Sequence, residues 1–197
     1  LNFIAAQAIG LLVQGPLMES GGRYPQTDAI AASAWIPRLL PPARVHLGFL
    51  VALLAAVTVS LLLFRTVAGY EMRAAGLNRR AAQLAGIVVD RRIRMALFAS
   101  GALAGLAGGI EVAAITHRLY ERFSPGWGFT AIAVALLGGL HPLGVVAAAL
   151  FFGALDAGSN AMQRQAGVSS VLVSVIQANV ILFLAALEWR RSSTAVS

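Results

Sequence analysis

Eighteen consecutive residues, Leu47 to Phe64, carry no charge, and His46 and Arg65 bracket them. As a helix this run measures about 27 Å, close to the hydrocarbon thickness of a bilayer. Inside lipid every backbone amide must be paired, and a helix pairs them within the segment itself. The rest of the chain agrees: 58% of its 197 residues are hydrophobic and its mean hydropathy is +0.78, against an apolar share of about 45–50% in soluble domains. The expected fold is therefore all-α, a polytopic transmembrane helix bundle, read as a single domain over residues 1–197.

Other segments fit that frame less simply. Leu1 to Val13 is apolar but only about 20 Å long as a helix; if it crosses the membrane, its beginning lies upstream of this sequence. Gly15 to His46 is rich in Pro, Gly and Ser, which predicts loop. Ala96 to Thr116 is a second span, and within it Gly101, Gly105 and Gly109 form GxxxGxxxG, a small-residue stripe that suits close helix packing inside a bundle. Phe129 to Leu155 is apolar but broken by Gly138-Gly-Leu-His-Pro-Leu-Gly144. Each half then has about 12 residues, about 18 Å, so two short helices or one re-entrant hairpin both fit. Asp156 to Ser169 reads as a polar connection, and Ser170 to Leu187 as the last span.

Between the first two spans lies an arginine island, Arg65 to Arg94, with seven arginines against Glu71 and Asp90. The positive-inside rule puts it in the cytoplasm, and Arg190 and Arg191 put the C-terminus there too. Asn78 is an N-cap candidate, and Arg79 to Leu84 lacks Gly and Pro, so a short helix is predicted to begin at Asn78 and fray near Gly86. Its exposed face is expected to carry Arg79, Arg80, Ala81, Ala82 and Gln83: small residues for a partner's groove, arginines for an acidic rim. A solvated loop with purely topogenic charge is the competing account.

Several function classes drop out. All fifteen basic residues are arginine, so no Walker A lysine exists, and if ATP drives anything this chain does, another subunit must bind it. The charge sits at the ends of apolar runs and not in an aromatic-interleaved basic patch, which argues against nucleic acid and for a lipid environment. There is no cysteine, hence no thiolate metal site or cysteine nucleophile. His46, His117 and His141 are scattered, Ser159 sits in no GxSxG elbow, and neither a metal site nor a catalytic constellation emerges. The chain is not read as an enzyme.

Four residues interrupt the apolar segments. Glu111 is a carboxylate inside a span, where a charge costs roughly 2.5–3.5 kcal/mol unless partnered or hydrated. It either lines a path for a polar solute or ties helices together. Gln177 and Asn179 suit interhelical hydrogen bonds, or the same path. His141, beside the break, is a candidate gate for that path.

The string from Gly69 to Ile87 resembles the cytoplasmic coupling segment of permease subunits in ABC importers for branched-chain amino acids, ribose and other simple sugars, and nucleosides. The matching positions are Gly69, Arg73, Ala74, Gly76, Asn78, Ala81, Ala82, Gly86 and Ile87. Gly126-Trp-Gly-Phe through Pro142-Leu-Gly144 resembles the broken segment of the same family. The loop with Pro25-Gln-Thr and Trp35-Ile-Pro-Arg-Leu-Leu, and Ala104 to Val112, look most like its nucleoside and simple-sugar branch. The likeness covers nearly the whole chain and corresponds to the C-terminal part of such a permease. It implies a multi-pass protein of the bacterial plasma (inner) membrane. It also implies cytoplasmic ATPase subunits that dock at Arg73 to Gly86 and hold the ATP, a second permease subunit, and an extracytoplasmic solute-binding protein. This chain would need no cofactor of its own. A secondary transporter with broken helices, and a non-transporting membrane scaffold, are the rival readings.

Overall fold

The structure, a computed structural model, describes residues 2–22, 24–39, 45–121, 123–124, 126–166, 175, 178–179 and 182–183. Among the described residues seven α-helices are delimited, in order α1 (Asn2–Gln14), α2 (Leu47–Arg65), α3 (Val67–Leu77), α4 (Arg79–Leu84), α5 (Val89–Glu111), α6 (Trp127–Leu137) and α7 (Pro142–Ala166), and residues 175, 178–179 and 182–183 are also helical. Among the described residues there is no β-strand, only two isolated bridges, Gln26 with Tyr120 and Arg38 with His46. The all-α expectation holds. Among the described residues three helices are long and apolar enough to cross a membrane, Leu47–Arg65, Val89–Thr116 and Pro142–Gln165; most of the expected last span, 170–187, lies outside the described residues. Their large side chains stand exposed along them, Leu54 and Leu61 on α2, Leu97 and Phe98 on α5. On α2, Thr58 Oγ1 donates to the Leu54 carbonyl at 2.8 Å; this back-bond satisfies the hydroxyl without a neighbouring helix.

The chain divides into two compact units, residues 1–125 and 126–197. In the first, α2 and α5 meet where Gly48 sits against Ile110 and the His46 ring. The spans therefore run antiparallel, the start of α2 beside the end of α5. Past Glu111 the helix widens into a π-turn over Val112–Thr116. It closes with the His117 N–H donating to the Val112 carbonyl at 2.8 Å, and His117 itself is left-handed at φ 53°. The described residues of the Pro-rich segment before α2 are loop, as predicted, apart from one 3-10 turn at Ala32–Ala34.

In the second unit, α6 and α7 form a helical hairpin whose core is Ala133, Val134, Ala148 and Phe152, flanked by Leu137 and Val145. The break is a helix stop followed by a helix start. The Leu140 N–H donates to the Ala135 carbonyl and the Gly139 N–H to that of Leu136, both at 3.0 Å, a Schellman closure. Pro142 then occupies the first position of α7, where its missing N–H costs nothing. The second half departs from expectation. It does not stop at Leu155 but continues to Ala166, about 37 Å in all, through the stretch read as a polar connection. Asp156 to Ala166 contains no proline, and Asn160 Nδ2 donates to the Asp156 carbonyl at 2.9 Å. Its polar side chains are accommodated within the helix. The segment is thus a short helix of 11 residues joined to a long one of 25, rather than two equal halves.

Candidate functional site

The arginine island folds as two helices and not one. α2 ends at Thr66, whose Oγ1 donates to the Leu62 carbonyl at 2.6 Å and accepts from the Gly69 N–H at 3.1 Å. One side chain therefore closes α2 and caps α3. The turn is tight: a Cβ on Gly69 would collide with the backbone of Leu62 and Leu63. Arg73 lies over the Phe64 ring, 4.7 Å from its centroid, a cation–π contact that fastens α3 to the end of α2.

Asn78 joins α3 to α4. Its N–H donates to the Ala74 carbonyl at 3.1 Å, ending α3, while its Oδ1 accepts from Arg80 N–H at 3.1 Å and Ala81 N–H at 3.0 Å. The predicted N-cap is in place. Gly86 stops α4 at φ +82°, with Gly86 N–H donating to Gln83 and Ile87 N–H to Ala82, both at 3.0 Å. The end does not fray; it is a Schellman closure in which the left-handed position requires glycine and Ile87 is the residue that follows. The Gly-Ile pair in the sequence has this physical meaning.

Two ion pairs fasten the island to α5. Arg92 bonds Glu71 on α3, with both side chains mostly buried, and Arg79 Nη2 lies 2.7 Å from Asp90 Oδ1 at the exposed surface. Of the residues singled out in the sequence, Arg73, Ala74 and Gly76 lie on α3, and Arg79, Ala81 and Ala82 on α4. Ala82 corrects the expected exposed face. It is only 4% exposed, because α4 packs on both α3 and α5. What stands out instead are Leu77 and Leu84, each 88% exposed, flanking the exposed Arg79 and Arg80. The sequence signals neither leucine: Leu84 ends a six-residue helix too short for its period to reveal a face, and Leu77 is the last residue of α3, beside the break at Asn78.

At the far end of the spans, Glu111 is half-buried with the His46 imidazole as its electrostatic neighbour. Around it the loop before α2 is strapped to the π-turn. Arg118 Nη1 donates to Glu19 Oε2 at 3.0 Å, Gln26 Nε2 to the same oxygen at 2.7 Å, Thr27 N–H to the Leu119 carbonyl at 2.8 Å and Ile36 N–H to that of Ala113 at 3.0 Å. Trp35 stacks on His117 with ring centroids 4.2 Å apart, so it belongs to a packed loop. None of these pairs was expected from the sequence.

The remaining path candidates lie in the second unit. His141 precedes α7, and its Nδ1 accepts from the Leu143 N–H at 3.3 Å; the ring serves as a helix cap. Asn179 is exposed and bonds its own helix, Nδ2 donating to the Val175 carbonyl at 2.9 Å. Gln177, like Arg190 and Arg191, lies outside the described residues. Gly101, Gly105 and Gly109 are exposed, and a Cβ added to any of them would meet nothing within 4 Å. Among the described residues no three His, Asp or Glu side chains gather to hold a metal ion.

Comparison with known proteins gives a consistent picture. A guanosine ABC transporter permease protein of Bacillus subtilis is 36% identical over 188 residues, covering 94% of this chain and 54% of that protein. A glucose ABC transporter permease protein of Haloferax volcanii is 37% identical over 194 residues, 93% of this chain and 51% of its own length. A nucleoside ABC transporter permease protein of Lactococcus lactis is 34% identical over 166 residues, 81% and 45% respectively. The chain spans about half the length of these relatives. No solved structure matches it. The family model described as "Branched-chain amino acid transport system / permease component" matches residues 1–185, and the chain belongs to that family of membrane permeases.

Proposed function

We propose that this chain is part of the permease subunit of an ATP-driven uptake transporter for nucleosides or simple sugars. It acts as one transmembrane permease domain in the bacterial plasma membrane, with the island and the C-terminus in the cytoplasm. ATP is bound and hydrolysed by separate cytoplasmic ATPase subunits; a second permease subunit completes the path, and an extracytoplasmic binding protein delivers the solute. The substrate class rests on the likeness to permeases named for guanosine, glucose and nucleosides.

The observation that carries the coupling role is the island's construction. α3 and α4 are joined through Asn78, present Leu77 and Leu84 beside Arg79 and Arg80, and connect through Thr66 and the Glu71–Arg92 pair to two long apolar helices. Apolar knobs ringed by guanidinium groups suit an apolar groove with an acidic rim. A displacement of α4 is passed to α5 through Arg79–Asp90 and to α2 through α3, so closure of the ATPases shifts the spans between two arrangements. Glu111, with Gln177, Asn179 and His141, remains the proposed polar lining of the path.

Leu84→Asp and Arg80→Glu test this reading better than changes at Arg73 or Ala82, whose side chains pack on the chain's own helices. Both variants are expected to insert normally, to lose co-purification with the ATPase subunits, and to lose uptake. Unchanged co-purification and ATP-dependent uptake in both would refute the docking role. Uptake that follows an ion gradient without an ATPase would instead identify a secondary transporter.

A further inference from the structure

A cavity of about 730 Å³ opens between α2 and α5, lined by Leu62, Leu63, Phe98, Ala99 and Leu103 among other apolar residues, with Met72 from α3. Among the described residues Arg94 is the single charged one in its lining. The two carboxylates of the island are already engaged: Glu71 holds Arg92, and Asp90 holds Arg79. Among the described residues Arg94 has no ion pair, and it is exposed. The cavity lies at the arginine-bearing end of both spans, where the ends of apolar helices meet headgroups.

We propose that this groove binds an anionic phospholipid, with an acyl chain against Leu62, Phe98 and Leu103 and the phosphodiester on the Arg94 guanidinium. The chemistry is complementary on both counts. An apolar wall without charge or amide takes a hydrocarbon chain. A planar guanidinium takes phosphate oxygens in pairs and stays charged at any physiological pH. A basic pocket between transmembrane helices is the kind of place where anionic headgroups are held. A free phosphate fits the arginine but leaves the apolar walls unfilled, and a zwitterionic lipid fills the walls but brings a like charge toward Arg94. The inference is independent of the transport reading, since it needs neither an ATPase nor a solute.

Native mass spectrometry of the full chain, titrated with phosphatidylglycerol or phosphatidylcholine of identical acyl chains, provides the test. Phosphatidylglycerol is expected to bind about fivefold more tightly, the factor corresponding to about 1 kcal/mol for one arginine near an anionic surface. Arg94→Gln is expected to erase the preference and Arg94→Lys to keep most of it. Ala99→Trp, which fills the groove, is expected to remove bound lipid of either kind. Equal binding of the two lipids to the unaltered chain would overturn the proposal. So would an unchanged preference in Arg94→Gln, unchanged lipid occupancy in Ala99→Trp, or loss of the preference on adding inorganic phosphate at constant ionic strength. Absence of bound lipid altogether would show the groove to be covered by protein, and would overturn it as well.

Discussion

At the arginine-bearing end of the α2 and α5 spans, most of the joints are local motifs: Thr66 bonds residues four before and three after it, Asn78 caps a helix two and three residues on, and Gly86 closes one within a turn. At the opposite end the structure is held by partners far apart in the chain, 99 residues for Arg118 with Glu19 and 92 for Leu119 with Thr27. Short-range joints cost little loop entropy to form and bend without loss of the whole, whereas long-range pairs hold a fixed shape only after both spans are in place. The difference suits the proposed coupling role of the arginine-bearing end and a more rigid opposite end.

That contrast is open to measurement, beginning with its most sensitive joint. Gly69→Val places a branched side chain against the backbone of Leu62 and Leu63, which cannot move without unwinding α2. The expected cost is about 3 kcal/mol or more, at or beyond the usual range for overpacking. It should appear as loss of folded protein in detergent, measured by thermal unfolding of the purified membrane fraction. A variant as stable as the parent would mean that α3 does not fold back on α2 as described.

The strap comes next. Glu19 accepts from Arg118, Gln26 and the Tyr24 N–H, so Glu19→Ala strands a guanidinium and an amide together. A loss of about 2–3 kcal/mol is expected, in line with hydrogen bonds to charged groups. Hydrogen exchange should quicken across 24–36 and 112–120 while α3 and α4 keep their protection. Asn78→Ala is the converse case: about 1 kcal/mol, with faster exchange confined to α4. If either substitution loosens both ends equally, the division into a local and a long-range end is wrong.

These joints also explain what was legible in the sequence. The Leu47 run and the Asn78 cap are each decided by residues a few positions apart and appear where expected, while Gly86 is equally local but closes its helix where fraying was expected. Thr66 follows the same rule and was overlooked, although a threonine immediately before a helical run is an N-cap signal of the kind sought at Asn78. The extent of α7 was misjudged because polar residues were read as loop, when a helix with an exposed face admits Asp156 and Asn160. Ala82 was placed on the wrong face because its burial is set by α3 and α5 and not by the period of α4. The stacking of Trp35 on His117 and the Glu19 cluster lay beyond reach, since nothing local pairs residues some eighty or a hundred positions apart.

The smallest expected effect concerns the glycine stripe, and its sign is what matters. A Cβ at Gly105 touches nothing within 4 Å, so in the chain by itself Gly105→Ala gains helix propensity, up to about 1 kcal/mol. If another helix approaches this stripe in an assembled permease, as its small residues lead one to expect, the same methyl groups would hold that helix off. Gly105→Ala is therefore expected to raise the unfolding temperature of the isolated chain slightly and to weaken association with the second permease subunit, read by co-purification. Stabilisation with association unchanged would leave the stripe facing lipid. Destabilisation of the isolated chain would mean that a helix already covers α5 at this point.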